Sequence, residues 1–222
     1  VSATPVGRDV PTSAGGVRVE RVVTSGLFEL DGGSWEVDNN VWLLGDEREV
    51  LVVDAAHDAG AILEAVGGRH VVAVVCTHGH NDHVNAVADL VAETGATAWL
   101  HPDDRVLWDQ SQDAAPGGEL ADGQVFTVGD VEATVLHTPG HAPGACCLHV
   151  PALGVLFSGD TLFNGGPGAT GRSYSDFPTI VESIRTRLLT LPPETVVLTG
   201  HGDPTGIGDE APHLHEWLDR GH

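Results

Sequence analysis

The chain has 222 residues, enough for one large domain or two small ones, and carries a formal net charge of −22 from 32 acidic and 10 basic residues. All ten basic residues are arginine, and so acidic a surface repels phosphate backbones, which argues against nucleic acid as partner or substrate. No apolar run approaches the ~20 residues of a membrane span, and "VSATPVGRDVPTSAGG" lacks the apolar stretch of a secretion signal, so a cytoplasmic protein without membrane contact is expected.

In chain order, residues 1–16, rich in Pro, Gly, Ser and Thr, read as a flexible tail, and residues 17–222 as a single domain. "VRVERVVTSG", "LFELDGGSWEV", "NNVWLLGD" and "REVLVVDAA" read as a β-meander with Gly/Asp turns. "AGAILEAVGG" predicts an amphipathic helix stopped at Gly67–Gly68. Strand "VVAVVCT" follows, then a histidine cluster, a helix over "HVNAVADLVAETG", a short strand in "TAWLH" and a helical turn in "PDDRVLWDQ". "QSQDAAPGGELADGQ" reads as a surface loop. The pattern then restarts with "VFTVGDVEATVLHT", "GACCLHVPALGVLFSGD", helix "DFPTIVESIRTRLLTL", strand "TVVLTGH" and helix "EAPHLHEWLDR". Both halves run from strands into a helix-covered end, which predicts an α/β fold: two packed sheets with helices outside, a four-layer αββα sandwich. Cys146 and Cys147 are adjacent in a strand and face opposite sides, and Cys76 ends another strand. All three read as small buried hydrophobes rather than disulfide partners.

The densest chemistry lies in "CTHGHNDHVNA" (76–86). His78 and His80, two apart at a strand end, point the same way, while Asp82 and His83 open the next helix. Imidazole nitrogens and a carboxylate converging there suit a borderline cation such as Zn²⁺. Further ligand-type residues follow other buried strands: His141 in "HTPGHAPG", Asp160 in "LFSGDTLF" and His201 in "VVLTGHGDPT". A rigid sheet presents functional groups at such loop positions.

The ordered set "HGHNDH", "TPGH", "SGDTLF" and "TGHG" resembles the metallo-β-lactamase superfamily, and closely its glyoxalase II-like (hydroxyacylglutathione hydrolase-like) members, from about Val17 to the C-terminus. The resemblance implies two Zn²⁺ ions, with Fe or Mn as alternatives. His78, His80 and His141 would hold the first, Asp82, His83 and His201 the second, and Asp160 would bridge them. Asp54 in "VVDAAH" matches an early strand-end aspartate that supports the metal ligands by hydrogen bonds. Asp82, Asp160 and Asp54 are therefore the expected catalytic carboxylates. Common β-lactamases of this fold carry Cys or Ser near position 160, so Asp160 points toward thioester hydrolases. His80, where oxygen-reducing relatives carry Glu, argues against a flavodiiron role. Two cations ~3.5–4 Å apart lower the pKa of a shared water toward ~7, and the resulting hydroxide would attack a thioester carbonyl. No G-x-S-x-G nucleophile elbow competes with this chemistry.

On the substrate side, "GRSY" resembles the G-[KR]-x-Y stretch with which glyoxalase II enzymes hold glutathione, implying that Arg172 and Tyr174 bind the thiol carrier. His57 is a candidate proton donor at the site mouth, set against an ordinary loop histidine. Asp176 either orients Arg172 or caps the following helix. Trp108, with "QSQDAAPGGE", covers the cleft or is simply buried. His137, His149, His213 and His215 read as structural. Other basic residues of the glutathione-binding extension have no counterpart, and the arginine-only, Ala/Gly/Val-rich composition resembles GC-rich actinobacterial coding. Both features favour a mycothiol-like carrier over glutathione. The rival readings are a mononuclear iron persulfide dioxygenase, a lactonase and a catalytically inactive binding protein; the sequence sets no oligomeric state.

Overall fold

Asp31 and Gly32 both take positive φ (53° and 76°), the conformation of a two-residue turn whose twist matches the flanking strands. They join β1 (Arg18–Leu30) to β2 (Gly33–Gly45) with Leu30 opposite Gly33. The turn therefore falls inside the run "LFELDGGSWEV", and β1 passes straight through Gly26, where the sequence reading ended a strand. The computed structural model describes residues 6–221; residues 1–5 of the predicted tail and residue 222 lie outside the described part. Residues 6–16 form neither helix nor strand, yet they are not loose. Val6 and Val10 pack on the core, Arg8 pairs with Asp209 at 2.7 Å, and Ser13 and Gly15 bond to Asp130.

The first sheet continues through β3 (Glu49–Val53), β4 (His70–Val75), β5 (Ala98–Leu100) and β6 (Gly118–Glu119) in simple order, antiparallel up to β3 and parallel beyond it. The predicted middle loop thus contributes a short edge strand, β6. The second sheet is built from β7 (Val125–Val128), β8 (Val131–His137), β9 (Cys146–Val150) and β10 (Val155–Gly159). A small ribbon, β11 (Leu162–Phe163) with β12 (Gly166–Pro167), follows, and β13 (Val196–Thr199) and β14 (Thr205–Gly206) complete the sheet in the order β14-β13-β10-β9-β8-β7.

Period-two alternation sorts side chains between layers. Trp42, Leu44, Leu51 and Val53 meet Val135, Leu148, Phe157 and Leu198 between the sheets. On the outer face of the first sheet, Leu43, Val52 and Val74 pack under α1 (Ala59–Val66) and its neighbouring helices. Asp58 caps α1 by accepting from Ala61 N, and Gly67 ends it in the left-handed conformation. The predicted single helix over 83–95 is broken into α2 (Asn81–Val84) and α3 (Val87–Thr94), because Ala86 N donates to Ala55 O instead of continuing the helix. After α4 (Arg105–Trp108), the second sheet is covered by α5 (Phe177–Ser183), which runs into a π-helical turn, then α6 (Ile207–Glu210) and α7 (Leu214–Arg220). Ile180, Ile184 and Trp217 pack there on Cys147, Leu156 and Val197. Cys146 faces the inter-sheet core and Cys147 the outer layer, and all three thiols are free. The architecture is the four-layer αββα sandwich. No helix among the described residues is long and apolar enough to cross a membrane.

Candidate metal centre

Strands β4, β10 and β13 end on one rim of the sandwich. His78 and His80 leave β4, Asp82 and His83 sit in α2, His141 lies between β8 and β9, Asp160 follows β10 and His201 follows β13. Tethering sets α2 over that rim, since Ala55 N donates to His83 O and Ala86 N to Ala55 O. The ligand atoms gather in three overlapping groups, His78/His80/His141, His78/His83/Asp160 and Asp82/His83/His201, each with all atoms within 4.8 Å of one another. His141 Nε2 lies 3.1 Å from His80 Nδ1, and His83 Nε2 lies 3.2 Å from His201 Nε2. Asp160 touches both ends: Oδ1 is 3.4 Å from His83 Nε2, and Oδ2 is 3.4 Å from His201 Nε2 and 3.6 Å from His141 Nε2. A Cβ at position 200 would fall 2.2 Å from Asp160 Oδ1 and 2.8 Å from the His83 ring, so glycine there lets the two approach.

Most of these rings are fixed from outside. His78 Nδ1 donates to Thr77 Oγ1 at 3.1 Å, and that hydroxyl donates to Asp54 Oδ2 at 2.9 Å. His83 Nδ1 donates to Asp54 Oδ2 at 2.9 Å, His141 Nδ1 to Ala169 O at 2.8 Å and His201 Nδ1 to Asp38 O at 2.8 Å. With Nδ1 bonded outward in each, Nε2 points inward, the arrangement by which neighbouring acceptors orient metal-ligating histidines.

The charges divide the cluster. Burial lowers His78 and His141 and brings His80 down to about 3, so these three are neutral. Burial also opposes charge on His83 and His201, but Asp160, with Asp82 and, for His83, Asp54, raises both, His201 to about 10. Burial would lift Asp82, yet His83 and His201 hold it at about 2. The donor set suits divalent cations. His78 Nε2, Asp82 Oδ1 and Asp160 Oδ1 are buried without any hydrogen-bond partner, and His80 turns Nδ1 toward His141 Nε2; acceptors gathered in this way with carboxylate charge among them are what a cation neutralises.

The structure brings together all seven of the sequence-derived ligand candidates. Asp54 stands behind them: it accepts from Thr77 N, Thr77 Oγ1 and His83 Nδ1, the supporting hydrogen bonds that the resemblance implies, and, although also counted among the expected catalytic carboxylates, it does not line the cavity. His57 is not on the cavity wall either. Asn85 Nδ2 donates to His57 Nδ1, His57 Nε2 donates to Asn39 Oδ1, and Asn39 Nδ2 donates to Asp82 Oδ2 at 3.1 Å, so His57 buttresses Asp82 from behind. Sequence reasoning does not single out Asn39 or Thr77: Asn39 lies 43 positions from Asp82, and a Thr next to His78 has no distinctive spacing. Beside the cluster lies a cavity of about 300 Å³ walled by Phe28, Leu30, Trp35, Val37 and Phe163. Phe28 pairs with Trp35 across the hairpin, and Arg172 stacks on Trp35 with its guanidinium carbon 4.0 Å from the ring centroid. Tyr174, expected beside Arg172, sits at φ 69° in a tight turn, is 49% exposed and does not line the cavity. Asp176 caps α5 by accepting from Thr179 N. Trp108 is buried and bonded to Ala114 O. A second cluster, His101, Asp103 and His137, is no match for the first. Its imidazoles stack at 4.0 Å and 10°, so their in-plane lone pairs run parallel instead of converging.

Residues 35–201 match the metallo-β-lactamase superfamily model, a span that takes in every ligand candidate. The hydroxyacylglutathione hydrolase GloC of Haemophilus influenzae is 29% identical over 181 residues, covering 74% of this chain and 85% of that protein. Among solved structures, TTHA1623 in a di-iron-bound form is 32% identical with a TM-score of 0.71, over 79% of this chain and 93% of the other. ETHE1 from Myxococcus xanthus is 25% identical with a TM-score of 0.70, over 87% and 83%. The αββα layers, the rim of histidines and aspartates and these matches agree, and the chain belongs to the metallo-β-lactamase superfamily, with hydroxyacylglutathione hydrolases among its relatives.

Proposed function

We propose that the protein is a binuclear metal-dependent hydrolase that cleaves an acyl thioester of a low-molecular-weight thiol. The observation that carries this reading is Asp160: one carboxylate, within 3.6 Å of His141 on one side and 3.4 Å of His83 and His201 on the other, serves both ligand groups. His78, His80 and His141 would hold one cation and Asp82, His83 and His201 the other, with Zn²⁺ suiting the donors and the di-iron relative supporting iron as well. When bound, such a pair lowers the pKa of a water and neutralises charge developing on a carbonyl oxygen.

The chain supplies the rest. Asp82 and Asp160 are ionised acceptors, each with one unbonded buried oxygen that can orient a water's proton. Phe28, Leu30, Trp35 and Val37 share one face of the hairpin and exclude water from the acyl side of the cavity. Arg172, held flat against Trp35, offers the cavity mouth a cation for a polar or anionic carrier such as glutathione or mycothiol.

The test is metal analysis of the purified protein joined to a panel of glutathione and mycothiol thioesters. Two equivalents of metal with chelator-sensitive thioester cleavage is the expected result. The ETHE1 likeness favours one second reading, a mononuclear iron persulfide dioxygenase. One equivalent of iron, with oxygen consumed and no thioester cleaved, would establish that reading in place of the first.

A further inference from the structure

Asp104 belongs to none of the motifs above. It ends the turn Pro102–Asp104 ahead of α4 and is fully buried. Its Oδ2 accepts from Gly79 N at 2.7 Å and its Oδ1 accepts from Gly144 N. Gly79 lies between His78 and His80, and Gly144 lies three residues after His141. Both loops also press on the backbone of this residue. A Cβ at Gly79 would sit 2.8 Å from Asp104 O, and one at Gly144 would sit 2.7 Å from Asp104 N.

From this we infer that Asp104 is a positioning residue for the three-histidine half of the centre, clamping the His78–His80 loop of the first sheet to the His141 loop of the second. The clamp sets the 3.1 Å approach of His80 Nδ1 and His141 Nε2. This inference rests on reading those three histidines as ligands. Burying an ionised group without a cation is costly, and here two N–H donors, Gly79 and Gly144, offset that cost by tying the two loops to one side chain. What the carboxylate adds is two acceptors fixed in one plane, which an apolar residue cannot supply to two converging N–H groups.

The test substitutes Asp104→Asn, which keeps the shape but turns an NH₂ group toward one of the two N–H donors. Wild type and variant are titrated with Co²⁺ against a chromophoric chelator while the visible cobalt spectrum is recorded. His80→Ala identifies which signals belong to the three-histidine site. Leu90→Ala, a substitution on the buried face of α3 in the helical layer outside the first sheet, serves as the stability control. The expected result is about a 10–100-fold loss of Co²⁺ affinity at the three-histidine site, with a changed spectrum and the second site within about twofold of wild type. Leu90→Ala lowers the melting temperature and leaves both affinities in place. Should Asp104→Asn not fold, Asp104→Ser, smaller and able to accept one N–H, is read the same way. Wild-type affinity and spectrum in the variant, or equal weakening in Leu90→Ala, overturns the inference. If wild type shows no Co²⁺ signal that His80→Ala removes, the ligand assignment itself has failed, and that outcome is visible before any Asp104 variant is made.

Discussion

The two ligand groups meet at Asp160 but are built differently. His78, His80 and His141 form an all-imidazole trio, neutral by burial, with the outer nitrogens of His78 and His141 held by uncharged oxygens of Thr77 and Ala169. Asp82, His83 and His201 mix carboxylate with imidazole. Asp54 and Asp160 lean on His83, and His201 carries a raised affinity for protons. The first trio is therefore positioned mainly by loop geometry and the second mainly by charge. Their supports differ in kind too: the first is braced by Asp104 across the two sheets, the second by the chain Asn85–His57–Asn39–Asp82 and by Trp42 and Asn40, whose side chains donate to Thr199 O beside His201.

Removing what the two share should do the most damage. Asp160→Ala is expected to cut thioester turnover at least about 10³-fold, the scale of losing a preorganised charge in a catalytic centre, and to weaken metal retention at both sites. Retention of a tenth of wild-type turnover in steady-state assays would remove the shared-carboxylate reading. Asp54→Ala should weaken the two trios unequally, lowering affinity at the second by about 10–100-fold through the direct loss at His83 Nδ1 and at the three-histidine site by less, through Thr77 and His78, as measured by chelator competition. Equal loss at both would show that charge and geometry are not divided as described.

Proton release sharpens the contrast further. Ligation needs neutral imidazole. His83 and His201 are held above their ordinary value and are protonated at pH 7 without an ion, so filling the second site should release protons, and its affinity should rise with pH until about 10. His78, His80 and His141 are held below theirs, so at neutral pH and above the first site should bind with little proton release and a flatter profile than the second. Calorimetry in buffers of different ionisation enthalpy measures this directly, and matching proton counts at the two sites would contradict it. The smallest effect is expected for His57→Ala: it removes a hydrogen bond two steps from Asp82 and should lower kcat by no more than about tenfold, without moving the substrate KM. A changed KM with intact kcat would return His57 to the substrate side.

Much of this was legible in the chain. Ligand residues follow buried strands because sheets present function at their ends, and the helix stop at Gly67 and the cap at Asp176 follow from local backbone chemistry. Less visible were the partners. Asn39 reaches Asp82 across 43 positions and Asp104 reaches Gly144 across 40, separations that leave no periodic trace. That Tyr174 is exposed and off the cavity wall was not legible, because a motif names residue types, whereas a positive φ decides which way the side chain leaves the turn. The broken helix at Asn85–Ala86 has the same origin: local propensity favours continuing, but Ala86 N finds Ala55 O.

By itself the sequence determined the layers, the seven ligand candidates and the chemistry they favour, because alternation, capping and residue type are local properties. Only the tertiary structure decided which nitrogen of each imidazole faces inward, which carboxylates orient and which face the reacting space, and that Asp104 and Asn39 belong to the centre at all. Those are matters of hydrogen-bond partners brought together from distant parts of the chain, and partners of that kind exist only after the two sheets have packed.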